Sequence, residues 1–158
     1  MICETIEEFT RALRPIRPVA GLDLGTETIG VAVSDGFRRV ATPLETVRRK
    51  KFTLDAEKLL AIFAHREIAG VILGLPLNMD GSEGPRAQST RAFALNLSRL
   101  TEIPIAFWDE RLSTVAAEKA LLEADTTRKR RAEVIDHVAA SYILQGALDR
   151  MAHLEAGS

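Results

Sequence analysis

The hydrophobic positions in the first half of the chain form three short strand-like segments. They lie at residues 19–25, 29–35 and 39–47, with only a few residues between one segment and the next. Connections as short as these favour antiparallel neighbours. We therefore predict that this part of the chain forms a three-stranded meander.

After the meander the pattern alternates between helices and strands. Apolar side chains recur at helical spacing in residues 54–66 and 86–100. Two continuous apolar runs, 69–76 and 104–110, are typical of buried strands. The stretch 77–85 is rich in glycine and small polar residues and is predicted to be a loop. Because crossovers that contain a helix join parallel strands, the last two strands are predicted to be parallel.

Two more helices are predicted toward the C-terminus. Ser113 or Thr114 is expected to cap an alanine-rich helix, and a final helix is expected to begin at 125–127 and to end at about residue 151. The fold class is therefore a single mixed α/β domain. Helices flank a mixed sheet, which consists of the antiparallel meander and two parallel strands.

The ends of the chain are predicted to lie outside this domain. Residues 5–14 have the apolar spacing of a short helix, which Pro15 ends. We interpret residues 1–18 as an N-terminal extension, 19–151 as the main domain and 152–158 as a C-terminal tail.

Composition favours a cytoplasmic protein without a membrane partner. The 158 residues are 46% hydrophobic, and no apolar run approaches the length of about 20 residues that spans a bilayer. The N-terminus lacks the basic start and apolar core of a secretory signal. Cys3 is the single cysteine, so no internal disulfide is possible, as is usual in a reducing compartment.

The charge of the chain neither supports nor excludes a polyanionic partner. Its formal net charge is −1, whereas many nucleic-acid-binding proteins carry a basic excess. Basic residues are nevertheless clustered in two runs, 48–51 and 128–131. Each run by itself is more typical of a solvated turn or helix face.

Acidic residues occur at positions where a sheet protein binds ligands. Asp23 lies in the first strand between two leucines, so its side chain points away from theirs. If helices cover both faces of the sheet, Asp23 is partly buried and needs a cation or hydrogen-bond donors. Asp109 and Glu110 end the last strand, and ligands usually bind at the carboxyl ends of parallel strands.

A third carboxylate begins an apolar stripe on the final helix. Asp136 shares one helical face with Ala139, Ala140, Ile143 and Ala147. A buried acid with its own partner, or an acid at the edge of the stripe, is the alternative interpretation. Three acids from different elements can, however, converge at one end of a sheet. Oxygen ligands suit Mg²⁺ or Mn²⁺, and two such ions about 3.5–4 Å apart can hydrolyse a phosphodiester.

Four blocks of sequence occur in order along the chain: GLDLGTETIGVAVSD (21–35), GLPLNMDGSEGP (74–85), FWDERLSTVAAEKAL (107–121) and KRRAEVIDHVAASYILQGALD (129–149). Together they resemble the YqgF family, also called RuvX. The resemblance covers about residues 19–150 and implies an RNase H-like fold. It also implies a nuclease that either processes precursor 16S rRNA or resolves Holliday junctions.

The resemblance assigns roles to individual acids. Asp23 corresponds to the first-strand acid that contacts both metal ions, Glu110 to the second acid, and Asp136 to the acid of the last helix. Asp109 either shares metal binding, holds Arg111, or simply caps the end of the strand. The predicted cofactor is accordingly Mg²⁺ or Mn²⁺, with two ions.

Five other residues are candidates for contact with nucleic acid: Thr26, Asn78, Arg111, Lys129 and Arg131. Thr26 follows the first-strand acid, where backbone N–H groups can meet a phosphate, and Asn78 lies in the glycine-bearing loop. A plain hairpin turn and a surface loop without contacts are the alternatives. The three basic residues can pair with phosphate oxygens.

The predicted function is a metal-dependent nuclease that processes the 5′ end of precursor 16S rRNA in ribosome biogenesis. Its expected partners are nucleic acid and the ribosome or its precursors, with the protein acting as a monomer or homodimer. The preference for RNA comes from the resemblance alone. The alternatives are a Holliday junction resolvase, a non-catalytic nucleic-acid-binding module, and an ATP-binding domain, because DLGTETIG also resembles the phosphate loop of sugar kinases.

Overall fold

The computed structural model describes residues 1–112 and 128–157, and side chains for 1–112 and 137–157. The strands in these ranges are β1 (Val19–Leu24), β2 (Thr28–Ser34), β3 (Ala41–Arg48), β4 (Gly70–Leu75) and β5 (Ile105–Asp109). The helices are α1 (Ile6–Ala12), α2 (Phe52–His65), α3 (Pro85–Ser98) and α4 (Arg128–Ala156), and a 3₁₀ turn covers Glu110–Leu112.

The sheet has the topology that the connection lengths predict. Its strand order is β3-β2-β1-β4-β5. β2 pairs antiparallel with both β1 and β3, whereas β4 lies parallel to both β1 and β5. The predicted three-stranded meander and two parallel strands are therefore confirmed.

Helices cover both faces of this sheet. On one face, α4 lies so close to β1 that a Cβ atom added to Gly21 would stand 2.7 Å from Cβ of Leu144. On the other face, Leu59 and Phe63 of α2 and Leu97 of α3 pack in a second buried cluster. Burial on both faces explains why β4 is a continuous apolar run.

The N-terminal segment is tied to the edge of the sheet. The backbone N–H of Cys3 donates to the carbonyl oxygen of Ile105 at 2.7 Å. The backbone N–H of Ile105 donates in turn to the carbonyl oxygen of Met1 at 2.8 Å. This pairing covers part of the outer edge of β5, which would otherwise expose backbone groups. Burial raises the pKa of the Cys3 thiol.

Helix α1 completes the core on the α4 side. It begins at Thr5, whose hydroxyl accepts the N–H of Glu8 at 3.1 Å and so caps the first turn. Phe9 is fully buried, and its ring occupies space beside Gly70 that a larger residue would fill. The segment interpreted as an extension from the sequence thus packs into the same core as the main domain.

Helix α4 continues beyond the predicted end at residue 151. It ends at Ala156, and Met151 is 3% exposed against the rest of the core. The helix expected from Ser113 or Thr114, and the opening of the last helix at 125–127, lie outside the described residues. Within the ranges that are described, no helix is long and apolar enough to cross a membrane.

Candidate active site

Asp23 and Glu110 come together at the carboxyl ends of the parallel strands, next to a glycine. Leu22 of β1 pairs with Leu73 of β4, so the residues that follow them, Asp23 and Gly74, are neighbours at the ends of their strands. A Cβ atom added to Gly74 would lie 2.6 Å from Oε1 of Glu110. The Glu110 carboxylate therefore occupies the space above Gly74, beside the strand that carries Asp23.

Asp23 belongs to a face of the sheet that α4 covers. Asp23 pairs with Gly30 of β2, and Gly30 pairs with Thr46 of β3. Because directly paired residues project from the same face of a sheet, Asp23 and Thr46 lie on one face. At the neighbouring strand β4, a Cβ atom added to Gly74 would lie 2.5 Å from Cδ1 of Ile143 in α4, so α4 covers this face. Asp23 is 3% exposed, so its carboxylate lies in a largely dehydrated environment.

The third predicted acid lies on the helix that crosses this face. The backbone of Asp136 is part of α4, but its side chain lies outside the described residues. The next residue, His137, is half-buried, and its Nδ1 lies 2.9 Å from Oγ1 of Thr46. This hydrogen bond joins α4 to β3 at the first residue of α4 whose side chain the structure describes. The sequence alone favours a surface position for His137 and does not indicate this contact.

The chemistry of these side chains fits a hard divalent cation. Asp23 and Glu110 offer only oxygen donors, which Mg²⁺ and Mn²⁺ prefer. Gly74 leaves the space in which the second carboxylate lies. Among the side chains that the structure describes, no cluster of three or more His, Cys, Asp or Glu residues is present. Of the predicted ligands, Asp23 and Glu110 lie at neighbouring strand ends.

Asp109 and Arg111 form a fork-like ion pair. Nη2 of Arg111 donates to Oδ2 of Asp109 at 2.8 Å, and Nε lies 3.1 Å from Oδ1. The backbone N–H of Arg111 also donates to Oδ1 at 2.9 Å. Hydrogen bonds from the Arg111 side chain lower the pKa of Asp109, and the same pairing raises the pKa of Arg111. This geometry corresponds to the alternative in which Asp109 holds Arg111.

Arg111 also links the end of β5 to the glycine-bearing loop. Its Nη1 donates to the carbonyl of Met79 at 3.2 Å. Gly81, with a φ of +88°, packs against the guanidinium group in a conformation that side chains other than glycine rarely adopt. Asn78 closes the same loop, because its Nδ2 donates to Oγ of Ser82 at 3.0 Å. Both predicted nucleic-acid contacts, Asn78 and Arg111, are exposed and have structural partners within the loop.

Thr26 lies at the edge of a basic cavity. This exposed threonine shares the cavity with Arg49, Lys50 and Arg86. The sequence singles out none of these three basic residues as a contact, although two of them belong to the run 48–51. The remaining predicted contacts, Lys129 and Arg131, lie on α4, and their side chains are outside the described residues.

The architecture is that of an RNase H-like protein. The structure of Thermus thermophilus RuvC in complex with a Holliday junction substrate superposes with a TM-score of 0.52 at 12% sequence identity. The similarity covers 85% of this chain and 96% of that chain. A likeness at this low identity defines the fold.

Sequence comparison then defines the family. The profile of the RuvX family, described as "Holliday junction resolvase", matches residues 17–150. A protein of Ruegeria pomeroyi named "Putative pre-16S rRNA nuclease" is 79% identical over 154 residues, which cover 98% of this chain and 100% of the relative. A relative of the same name from Rhodobacter capsulatus is 68% identical, covering 98% and 97% of the two chains. The chain therefore belongs to the RuvX family.

Proposed function

We propose that this protein is a metal-dependent nuclease that hydrolyses nucleic-acid phosphodiesters. The observation that carries the proposal is the position of the Glu110 carboxylate above Gly74, at the strand end beside Asp23. Membership of the RuvX family and an RNase H-like fold support the same reaction class.

A divalent cation accounts for neighbouring carboxylates in a dehydrated place. Two negative charges at one site repel each other, and this repulsion grows as the environment becomes less polar. Asp23 is 3% exposed, so water screens its charge poorly. A bound cation would offset this repulsion, because it attracts both carboxylates.

In the proposed mechanism, Asp23, Glu110 and Asp136 would hold two ions of Mg²⁺ or Mn²⁺. When bound, such ions activate a water molecule and stabilise the leaving oxygen of the phosphodiester. Gly74 provides the space in which Glu110 reaches the site. Asp109 fixes the orientation of Arg111, and its contribution to metal binding is secondary because its oxygens already accept four hydrogen bonds from three nitrogen atoms of that residue.

The substrate that we favour is the 5′ end of precursor 16S rRNA. This choice follows the name of the relatives that are 68% and 79% identical over nearly the whole chain. It implies a role in ribosome biogenesis, with ribosomal precursors as partners in the cytoplasm. The second candidate is a four-way DNA junction, which the description of the family supports. Junction resolution requires two symmetric active sites and hence a dimer, whereas RNA trimming is possible for a monomer.

Cleavage of two labelled substrates tests this proposal. Purified wild-type protein and the Asp23→Asn variant are incubated with precursor 16S rRNA ends and with a four-way DNA junction, each with Mn²⁺, with Mg²⁺ and with EDTA. We expect metal-dependent cleavage of the RNA by the wild type and at least about a 100-fold slower reaction by the variant, because one metal ligand loses its charge.

The same experiment separates the alternatives. Preferential cutting of the junction would favour the resolvase. Cleavage that persists in EDTA, or that Asp23→Asn leaves unchanged, would disprove the metal mechanism. If both proteins bind RNA but neither cuts any substrate, the protein is a binding module that retains the fold.

A further inference from the structure

The basic cavity beside Thr26 lies at the sheet end that carries Asp23, on the side of the β1–β2 turn that faces α2 and α3. Its volume is about 420 Å³. Its lining comes from the β1–β2 turn, the segment after β3 and the first turns of α3: Leu24, Gly25, Thr26, Arg49, Lys50, Arg86, Ser89 and Thr90. Three of these residues are basic and none is acidic, so the cavity favours an anion.

The three basic side chains of this cavity differ in how firmly they are held: Arg49 is fixed by contacts within the protein, whereas Lys50 and Arg86 extend into solvent. Nη1 of Arg49 donates to the carbonyl of Gly25 at 2.6 Å, and its guanidinium lies 5.7 Å from the centre of the Phe93 ring. Arg49 is therefore held in place before any ligand binds. Lys50 and Arg86 are exposed, and within the described part of the chain no carboxylate forms an ion pair with either.

Uncharged donors complete the lining. The hydroxyl groups of Thr26 and Ser89 border the cavity on exposed residues. Helix α3 begins at Pro85 with no acidic residue in its first turn, so its positive end adds to the charge of the side chains. Thr90 does not contribute a donor, because its hydroxyl donates to the carbonyl of Arg86 at 3.0 Å.

The cavity is close to the proposed catalytic acids along the chain. Thr26 lies three positions after Asp23, which limits the distance between their Cα atoms to about 11 Å. A stacked nucleic-acid strand advances about 3.4 Å per nucleotide, so this Cα separation corresponds to about three nucleotides. Because Asp23 faces α4 and the cavity lies on the side of α2 and α3, a strand that contacts both passes over the carboxyl end of the sheet.

We propose that Arg49, Lys50 and Arg86 bind a backbone phosphate of the nucleic-acid strand that is cut, a few nucleotides from the catalytic acids. This inference rests on the proposed nuclease function and adds a binding site to it. Contacts to phosphate fix the register of a strand without reading its sequence. The site would thus hold the substrate in place for the carboxylates.

Binding of a labelled single-stranded RNA, followed by fluorescence anisotropy over a range of salt concentrations, tests this site. All proteins carry Asp23→Asn, so that no RNA is cut. The test variant has Lys50→Ala and Arg86→Ala. The matched control has Arg66→Ala and Arg99→Ala, which also remove two exposed positive charges, at the opposite ends of α2 and α3.

We expect the test variant to bind RNA about tenfold or more weakly at low salt. The slope of log K against log salt should also become shallower by about 0.7 for each phosphate that the protein no longer neutralises. The control should change neither quantity appreciably. Equally weakened binding in both variants, or unchanged binding in the test variant, would overturn the proposal. Competition by ATP at concentrations far below that of the RNA would also overturn it, in favour of a nucleotide site.

Cleavage measurements keep this inference separate from the proposed function. With Asp23 restored, the Lys50→Ala, Arg86→Ala variant should show a raised KM and nearly unchanged kcat, because the carboxylates are intact. If wild-type protein binds RNA through the cavity but never cuts it, the nuclease proposal fails and the phosphate site stands. If the wild type cuts RNA and the test and control variants bind and cut it equally well, the nuclease proposal stands and only the phosphate site is disproved.

Discussion

The carboxylate of Glu110 lies where a side chain on Gly74 would otherwise be. Its Oε1 is 2.6 Å from the position of an ideal Cβ at Gly74, so the two residues cannot both occupy this space. A glycine at the end of β4 is therefore a condition for bringing Glu110 beside Asp23. This relationship leads to the first of four predictions.

Gly74→Ala should impair catalysis more than stability. The added methyl group displaces Glu110 or Ile143, and we expect at least a tenfold fall in kcat together with a loss of about 1–3 kcal/mol of unfolding free energy from overpacking. Chemical denaturation and single-turnover cleavage measure the two effects.

Gly70→Ala is the matched control for this change. It introduces the same methyl group on the same strand, 2.5 Å from Cδ2 of Leu13 and 2.6 Å from Cζ of Phe9. It should destabilise the protein by a similar amount but leave kcat nearly unchanged. Parallel losses of kcat in both variants would mean that Gly74 affects catalysis only through stability.

Divalent metal should stabilise the folded protein through Asp23. A ligand that binds only the folded state raises the unfolding temperature, and a concentration 100 times the dissociation constant is worth about 2.7 kcal/mol. Differential scanning fluorimetry with Mn²⁺ should show this rise for the wild type and for Glu27→Gln, an exposed acid in the β1–β2 turn. The Asp23→Asn variant should show little of this metal-induced rise in unfolding temperature. A similar rise in all three proteins would place the metal elsewhere.

The Asp109–Arg111 pair should affect the behaviour of the protein in acid. Because Arg111 lowers the pKa of Asp109 in the folded state, the stabilisation is complete above the ordinary pKa of about 3.9 and is lost as the pH falls through the lowered value. In Arg111→Ala, carbon NMR should find the pKa of Asp109 nearer its ordinary value. Because Arg111 is exposed and water screens the pair, its removal should change the unfolding free energy little.

Arg111→Lys is the informative comparison here, since an ammonium group cannot form the forked contact. We expect the pKa of Asp109 to lie between those of the wild type and the alanine variant. An unchanged pKa in Arg111→Ala would mean that the pair does not persist in solution.

Phe9 should contribute to stability as a core residue does. It is 0% exposed, and Phe9→Ala should lower the unfolding free energy by about 3–5 kcal/mol. The control is Phe37→Ala, because Phe37 is 72% exposed and its loss should change stability by no more than about 0.5 kcal/mol. If the two variants unfold alike, α1 is detached from the core in solution.

The sequence determined the sheet and the positions of two acids within it. Short connections specified the antiparallel meander and helical crossovers specified the parallel strands, because connection length limits how two strands can pair. Asp23 was identified because a carboxylate is uncommon inside a buried strand, and Glu110 because it follows the last parallel strand, where ligands usually bind. The family resemblance supplied the role of each acid.

Only the tertiary structure decided what lies across from each element. Periodicity indicates which side of a helix or strand is buried, but it does not identify the partner. The approach of Glu110 to Gly74, the packing of Phe9 against Gly70, and the gathering of Arg49 with Arg86 all join residues more than 30 positions apart. Such contacts depend on how the layers stack, and a pattern along the chain carries no information about that stacking.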